Sequence, residues 1–181
     1  YVTEWGMEQF VRDARIAMIY EGTNGVQAMD LCGRKLAQKG GAAIQAFFAT
    51  VDGEIAEARN DEQLKPIADA LDKALGEQKA ATMWFMQHAM QNPNDLGAGA
   101  HHYMHIMGIV SLGLMWLRMA KVSIAKLAEG TDDKAFYEAK IATAQYYADR
   151  FIPDAGALRR KLESGSASMM ALGEDAFATV A

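Results

Sequence analysis

The stretch IMGIVSLGLMWL, residues 106–117, constrains this chain more than any other. It is apolar on every side of a helix rather than along one stripe, so other helices or lipid must surround it. At 12 residues, ending on Arg118, it falls short of the ~20 that cross a bilayer and reads as a buried central helix. The flanking residues extend that helix over 101–130, where Gly130 suits a C-terminal cap. Gly108 and Gly113 are expected to be points of close backbone approach.

A central helix needs helical partners, and the rest of the chain supplies them. Only three prolines occur, no alternating strand-length segment stands out, and Ala, Met, Leu, Glu, Lys and Gln dominate between glycines. The fold class is all-α. From Leu64 onward, Ile67, Ala68, Leu71, Ala74, Leu75, Ala81, Phe85 and Ala89 recur three and four apart. That spacing describes a long amphipathic helix, with Pro66 near its start and Asn92-Pro93-Asn94 closing it. Thr131, Asp132 and Asp133 offer capping oxygens to a third helix, along which Phe136, Lys140, Ala144, Tyr147 and Phe151 share a face before Pro153. With a helix over 42–59 there are four antiparallel elements on short loops, the pattern of a four-helix bundle. Residues 1–40 differ in character: a helix over 4–14, an irregular stretch through Gly22, and a helix over 24–38 ended by Gly40-Gly41. Those glycines mark the expected boundary between a first unit, 1–40, and a bundle, 41–181. The tail from Ser164 is small and polar at first and is expected to pack loosely.

Charge and cysteine content narrow the function classes. A net charge of −5 and a pI near 5.4 create no field for nucleic-acid phosphates or an anionic membrane, so neither is expected as a partner. The single cysteine, Cys32, excludes an intrachain disulfide, and the cytoplasm is the expected compartment. The opening Tyr-Val-Thr-Glu-Trp reads as an internal piece of a longer chain.

The most informative polar group is Glu21, in IYEGTNGVQ, residues 19–27. One reading makes it a charge before a helix N-terminus, with Thr23 as the cap and Gly22 as the turn. A capping box would place the glutamate three residues after the cap, where Val26 stands, so that structural role fits poorly.

FVRDARIAMIYEGTNGVQAMDLCGRKL, residues 10–36, closely resembles the motif near the C-terminal end of acyl-CoA dehydrogenases. The resemblance covers roughly residues 1–38, where Arg-Asp-Ala-Arg leads into Tyr-Glu-Gly-Thr. It implies a flavin enzyme in which Glu21 is the base that removes the α-proton of an acyl-CoA thioester. It further implies that the β-hydrogen leaves as hydride to FAD. The thioester oxygen would be held by the glutamate's own backbone N–H and a flavin hydroxyl. By the same resemblance Tyr20 lines the acyl pocket and Gly22 lets substrate approach the backbone. Thr23 matches the flavin-contacting threonine, followed by Asn24 and Gly25. Many family members carry glutamine where Gly25 stands, so that side-chain contact is missing here. EGTNGVQ with the following GRK, and a bundle after residue 41, resemble the longer subgroup that includes 3-methylthiopropanoyl-CoA dehydrogenases. The implied partners are an acyl-CoA substrate, an electron acceptor such as electron-transfer flavoprotein, and further copies of the chain. The chain alone, without the preceding domains, is expected to be inactive. The alternative from another class is a non-catalytic helical interaction or oligomerisation module.

Other constellations weigh less. His101 and His105 lie one helical turn apart, but no third ligand at convincing spacing accompanies them, and no metal site is expected. Met83, Met86, Met104, Met107, Met115 and Met119 sit in apolar helices and are expected to fill core space. Arg12, Asp13 and Arg15 read as a solvated face or an internal ion pair, or as support for the site or a subunit contact.

Overall fold

The computed structural model describes residues 2–20, 22–89 and 91–177. Among these the chain is helical with no strand, as expected. After a short turn at Thr3–Trp5 come α1 (Glu8–Ile16) and α2 (Asn24–Asp30). α3 (Ala42–Ala58), α4 (Lys65–His88) and α5 (Pro93–Glu129) follow, then α6 (Lys134–Arg150) and α7 (Asp154–Glu163).

α5 is the hub: α2, α4, α6 and α7 all pack on it, whereas α3 lies chiefly against α4. Its inward row is Ala100, Tyr103, Ile106, Val110, Leu114, Leu117 and Ala120, all buried. Facing it, Ile67, Leu71 and Leu75 of α4 are fully buried, each worth about 1.5–3 kcal/mol relative to exposure. Within this core Thr82 Oγ1 donates to the Gln78 carbonyl at 2.8 Å and shares a second 2.8 Å bond with the Tyr103 hydroxyl.

The structure corrects the sequence expectations in several places. First, α5 begins at Pro93, not near 101. Asn92 caps it, Oδ1 accepting the Asn94 N–H at 3.2 Å, and Pro93 occupies the first turn, where no N–H is needed. At 37 residues α5 is long and apolar enough to cross a membrane by length and composition, although it serves as the core helix here. Second, its apolar middle is not enclosed on all sides: Leu112 is 54% exposed, and Met115 and Val122 are also exposed. Third, Gly113 is a point of close approach, since a Cβ there would lie 2.9 Å from Leu71 Cδ1, but Gly108 has nothing within 4 Å.

The fourth correction is α7, which the sequence expectation left out and which packs on both α4 and α5 with Leu162 fully buried. Fifth, the tail does not start loosely: Ser166 is buried against the beginning of α5. The α6 stripe is only partly inward. Ala144 and Tyr147 are buried, whereas Phe136 and Phe151 are exposed, with the Lys140 ammonium 5.1 Å from the Phe136 ring centre. Exposed ion pairs, Lys79–Asp52, Arg118–Glu54 and Lys121–Glu57, tie α3 to α4 and α5 and add little to stability individually.

The segment before α3 also departs from one regular helix. After α2 the ladder widens to a π turn at Leu31–Lys35, where the Leu36 N–H donates to the Leu31 carbonyl at 2.9 Å. The chain then reverses through Lys39, Gly40 and Gly41, all with positive φ, which matches the expected end of the helix. Ala28 and Cys32 of this segment are buried in the same core as the bundle, the Cys32 thiol lying 3.8 Å from the Ala100 carbonyl.

Candidate active-site turn

The motif residues singled out in the sequence fall on a turn between α1 and α2. Met18, Ile19 and Tyr20 leave α1 in successive short turns, the Tyr20 N–H donating to the Ile16 carbonyl at 2.9 Å. The Gly22 N–H reaches the Ile19 carbonyl at 3.4 Å, and the Asn24 N–H reaches back to the Met18 carbonyl at 3.2 Å. That last bond ties the end of the α1 exit to the start of α2. Glu21, the expected base, lies outside the described residues.

Gly22 has φ +132, a conformation that L side chains rarely adopt. Tyr20 is 66% exposed and stands with exposed Ile19 and Met18, an apolar surface beside the turn. Thr23 occupies the N-cap position of α2 with an extended backbone, but its hydroxyl makes no cap bond. The α2 ladder begins instead from its carbonyl, which accepts the Gln27 N–H at 3.0 Å. Asn24 and Gly25 open the helix, and nothing lies within 4 Å of where a Gly25 Cβ would be. The turn thus brings Tyr20, Gly22, Thr23, Asn24 and Gly25 together at one exposed end of α2.

A residue outside the expected set joins them. The carboxamide of Gln27 folds back over Gly22, with Nε2 2.8 Å from the position a Gly22 Cβ would take. Its position one turn after Thr23 is the only sequence signal, and that spacing alone does not show which way the side chain leans.

The other candidates stay apart from this turn. On exposed α1, Arg12 bonds Glu8 and Gln9 while Asp13 accepts from Gln9 at 2.7 Å, the pattern of a solvated face. His101 and His105 lie with ring centres 4.4 Å apart. Burial, then the neighbouring His101, lowers the pKa values of His102 and His105 below the usual imidazole range. Among the described residues no group of three His, Cys, Asp or Glu side chains could hold a metal ion. Of the six methionines expected in the core, Met104 and Met107 pack against it, whereas Met83, Met86 and Met115 are exposed.

A family model described as acetyl-CoA dehydrogenase C-terminal like matches residues 42–173. The chain is 32% identical over 185 residues to the broad-specificity linear acyl-CoA dehydrogenase FadE5 of Mycobacterium tuberculosis, covering 98% of this chain and 30% of that protein. It is 33% identical over 173 residues to a 3-methylmercaptopropionyl-CoA dehydrogenase of Ruegeria pomeroyi, covering 94% of this chain and 29% of that protein. A butyryl-CoA dehydrogenase of Syntrophomonas wolfei is 26% identical over 180 residues, with 98% and 29% covered. The chain therefore spans about 30% of the length of the curated relatives it matches.

Proposed function

Because this chain belongs to the acetyl-CoA dehydrogenase C-terminal-like family, we propose that it is the C-terminal part of a flavin-dependent acyl-CoA dehydrogenase. The observation that carries this reading is that relatives named acyl-CoA dehydrogenases match this chain nearly end to end, the motif turn between α1 and α2 included. Residues 1–40 are the end of the catalytic helical domain and residues 41–181 an accessory bundle.

Glu21 acts as the base: its carboxylate takes the α-proton of an acyl-CoA thioester while the β-hydrogen leaves with its electron pair. A Cα–Cβ double bond forms, giving the trans-2-enoyl thioester. Bound FAD supplies the two-electron acceptor for that hydride. A carboxylate with an ordinary pKa of about 4.3 is a poor base for so weak an acid, so water has to be excluded from it. The apolar surface of Met18, Ile19 and Tyr20 serves that purpose once substrate lies on the turn, and Gly22 leaves the backbone open to close approach. Thr23, Asn24 and Gly25 fit one edge of the flavin, because the Thr23 hydroxyl has no cap bond and Gly25 faces open space. The remaining flavin and substrate surface comes from chain outside these 181 residues, so this part alone does not turn over. The reaction's partners are an acyl-CoA and an electron acceptor such as electron-transfer flavoprotein, in an oligomer in the cytoplasm.

One observation favours a second role for the bundle, as a helical interaction or oligomerisation module. Leu112, Met115 and Val122 of α5 and Phe136, Tyr146 and Phe151 of α6 are exposed, leaving apolar surface on the outside.

The test of the enzymatic reading is the absorbance spectrum of the full-length protein, recorded anaerobically before and after acyl-CoA thioesters of several lengths. A flavin band that one thioester bleaches, and that Glu21→Gln retains without bleaching, is the expected result. Well-folded full-length protein without a flavin band would overturn it.

A further inference from the structure

We propose that the cavity between the π turn, the start of α3, the end of α4 and the start of α5 binds a small neutral lipid, a linear alkyl chain of roughly eight to ten carbons with one hydroxyl head. The cavity measures about 420 Å³, inside the range of about 300–1,000 Å³ of small-molecule sites. At about 30 Å³ for each water-sized group it holds roughly a dozen such groups. Leu36, Ile44, Phe85 and Leu96 form its walls, and among the described residues no charged side chain lines it. An apolar body therefore gains by entering, whereas an ion would give up its hydration with no partner in return. Met86, 64% exposed, stands at the rim and leaves the cavity accessible.

Small residues leave this space open. Neither torsion nor crowding requires Gly33: its φ is not positive, and a Cβ there would meet Leu96 Cδ2 at an ordinary 3.9 Å. Gly99 and Gly113 of the hub are the opposite case, since a Cβ on either would lie 2.9 Å from a packed side chain. Ala37, just past the π turn, and Ala89, at the end of α4, line the same cavity, where longer apolar side chains would complete an ordinary core.

The polar end of the cavity is formed by Gln45 and Thr82, which it shares with a neighbouring groove that holds Lys79 and Asp52. Those two charges satisfy each other, the Lys79 ammonium meeting both Asp52 oxygens at 2.8 Å, so they call for no ion. The Thr82 hydroxyl gives its proton to the Gln78 carbonyl and so takes one from the Tyr103 hydroxyl, which leaves one of its two lone pairs for a further donor. A hydroxyl head supplies that donor and the methyl end of an acyl tail does not. The polar end thus matches a separate molecule rather than the far end of a substrate chain.

The test titrates octan-1-ol into the full-length protein and follows the methionine methyl resonances by NMR, with Met86 assigned through Met86→Leu. It needs no turnover, so its failure leaves the enzymatic reading untouched. The Met86 resonance is expected to shift and saturate while that of Met115, exposed elsewhere on α5, stays fixed. Affinity is expected to rise about fourfold per added methylene from butan-1-ol to octan-1-ol. Ala37→Leu and Ala89→Leu fill the cavity from two sides, and each is expected to weaken binding about tenfold or more. Thr82→Val, which removes the hydroxyl and keeps the shape, is expected to weaken octan-1-ol about fivefold. The wild-type series decides the matter even where a variant is unstable. A Met86 resonance unmoved at the solubility limit of octan-1-ol, or an affinity independent of chain length, would overturn the proposal, as would binding unchanged in both filled variants. A Met86 shift produced by a long-chain acyl-CoA and not by the free alcohol would also overturn it, by giving the cavity to the substrate's tail.

Discussion

Asp95, in the first turn of α5, holds Ser166, 71 residues further on: its Oδ1 accepts the Ser166 backbone N–H at 2.8 Å and the hydroxyl at 2.6 Å. Asn92, the cap of the same helix, donates to the Ser166 hydroxyl at 3.2 Å. The contact fastens the end of α7 to the start of the hub helix, with Gly165 at φ +67 making the turn between them. It also couples the fold to pH. The hydroxyl bond, then the backbone bond, holds the Asp95 carboxyl below its ordinary value of 3.8. A carboxylate whose pKa is depressed by folding stabilises the protein above its unfolded pKa and loses that contribution as pH falls through the folded value. Asp95→Asn should therefore lower the melting temperature at pH 7, with the gap from wild type closing below about pH 4. Ser166→Ala should lower it by roughly 2–4 °C at pH 7. Calorimetry across that range checks both, and a gap that widens in acid would contradict the assignment.

Two glycines of α5 predict opposite responses to the same substitution. A Cβ on Gly99 would lie 2.9 Å from both Leu162 Cγ and Phe85 Cζ, atoms of α7 and α4 that are themselves packed. Gly108 is exposed and meets nothing within 4 Å. Alanine in a helix gains up to about 1 kcal/mol over glycine, whereas overpacking costs about 1–3 kcal/mol. Gly108→Ala should stabilise by about 0.5–1 kcal/mol and Gly99→Ala should destabilise by about 1–2 kcal/mol. Urea titration of each variant measures the difference, and equal signs at the two positions would show that the hub is packed differently.

The sequence made the hub legible because an all-round apolar stretch has few alternatives, and it made the motif turn legible because its residues are contiguous. What it hid depended on neighbours far away. Pro93 looks like a stop for α4, yet it also serves as the first residue of α5, since a proline after an asparagine cap suits either role. α7 escaped notice because only Ala155 and Leu162 of it are buried, among Asp154, Arg159, Arg160, Lys161 and Glu163, too few to make a stripe. Ser166 gave no sign of its partner because Asp95 is 71 residues away. Within the site, the placement of Gln27 turns on the torsion of Gly22, which residue identity permits without specifying.

Cys32 reports directly on whether the segment bearing the motif stays seated on the hub. Burial pushes its thiol up to about 12, and the thiol lies 3.8 Å from the Ala100 carbonyl. At pH 8 the thiolate would be about one part in ten thousand of the native thiol, far below that of a free cysteine. A disulfide reagent such as Ellman's should therefore label no thiol in the native protein within minutes and one equivalent once the chain is denatured. Labelling in the native state would have to wait for α2 and the π turn to lift from α5, so its rate measures that opening. Tyr103, buried on α5 itself, gives a second probe, because burial also pushes its hydroxyl up to about 12. If Cys32 labels quickly while Tyr103 resists ionisation, the opening is confined to α2 and the π turn. If both are protected together, α2 and the hub move as one body, and the turn that begins at α2 inherits the rigidity of the core.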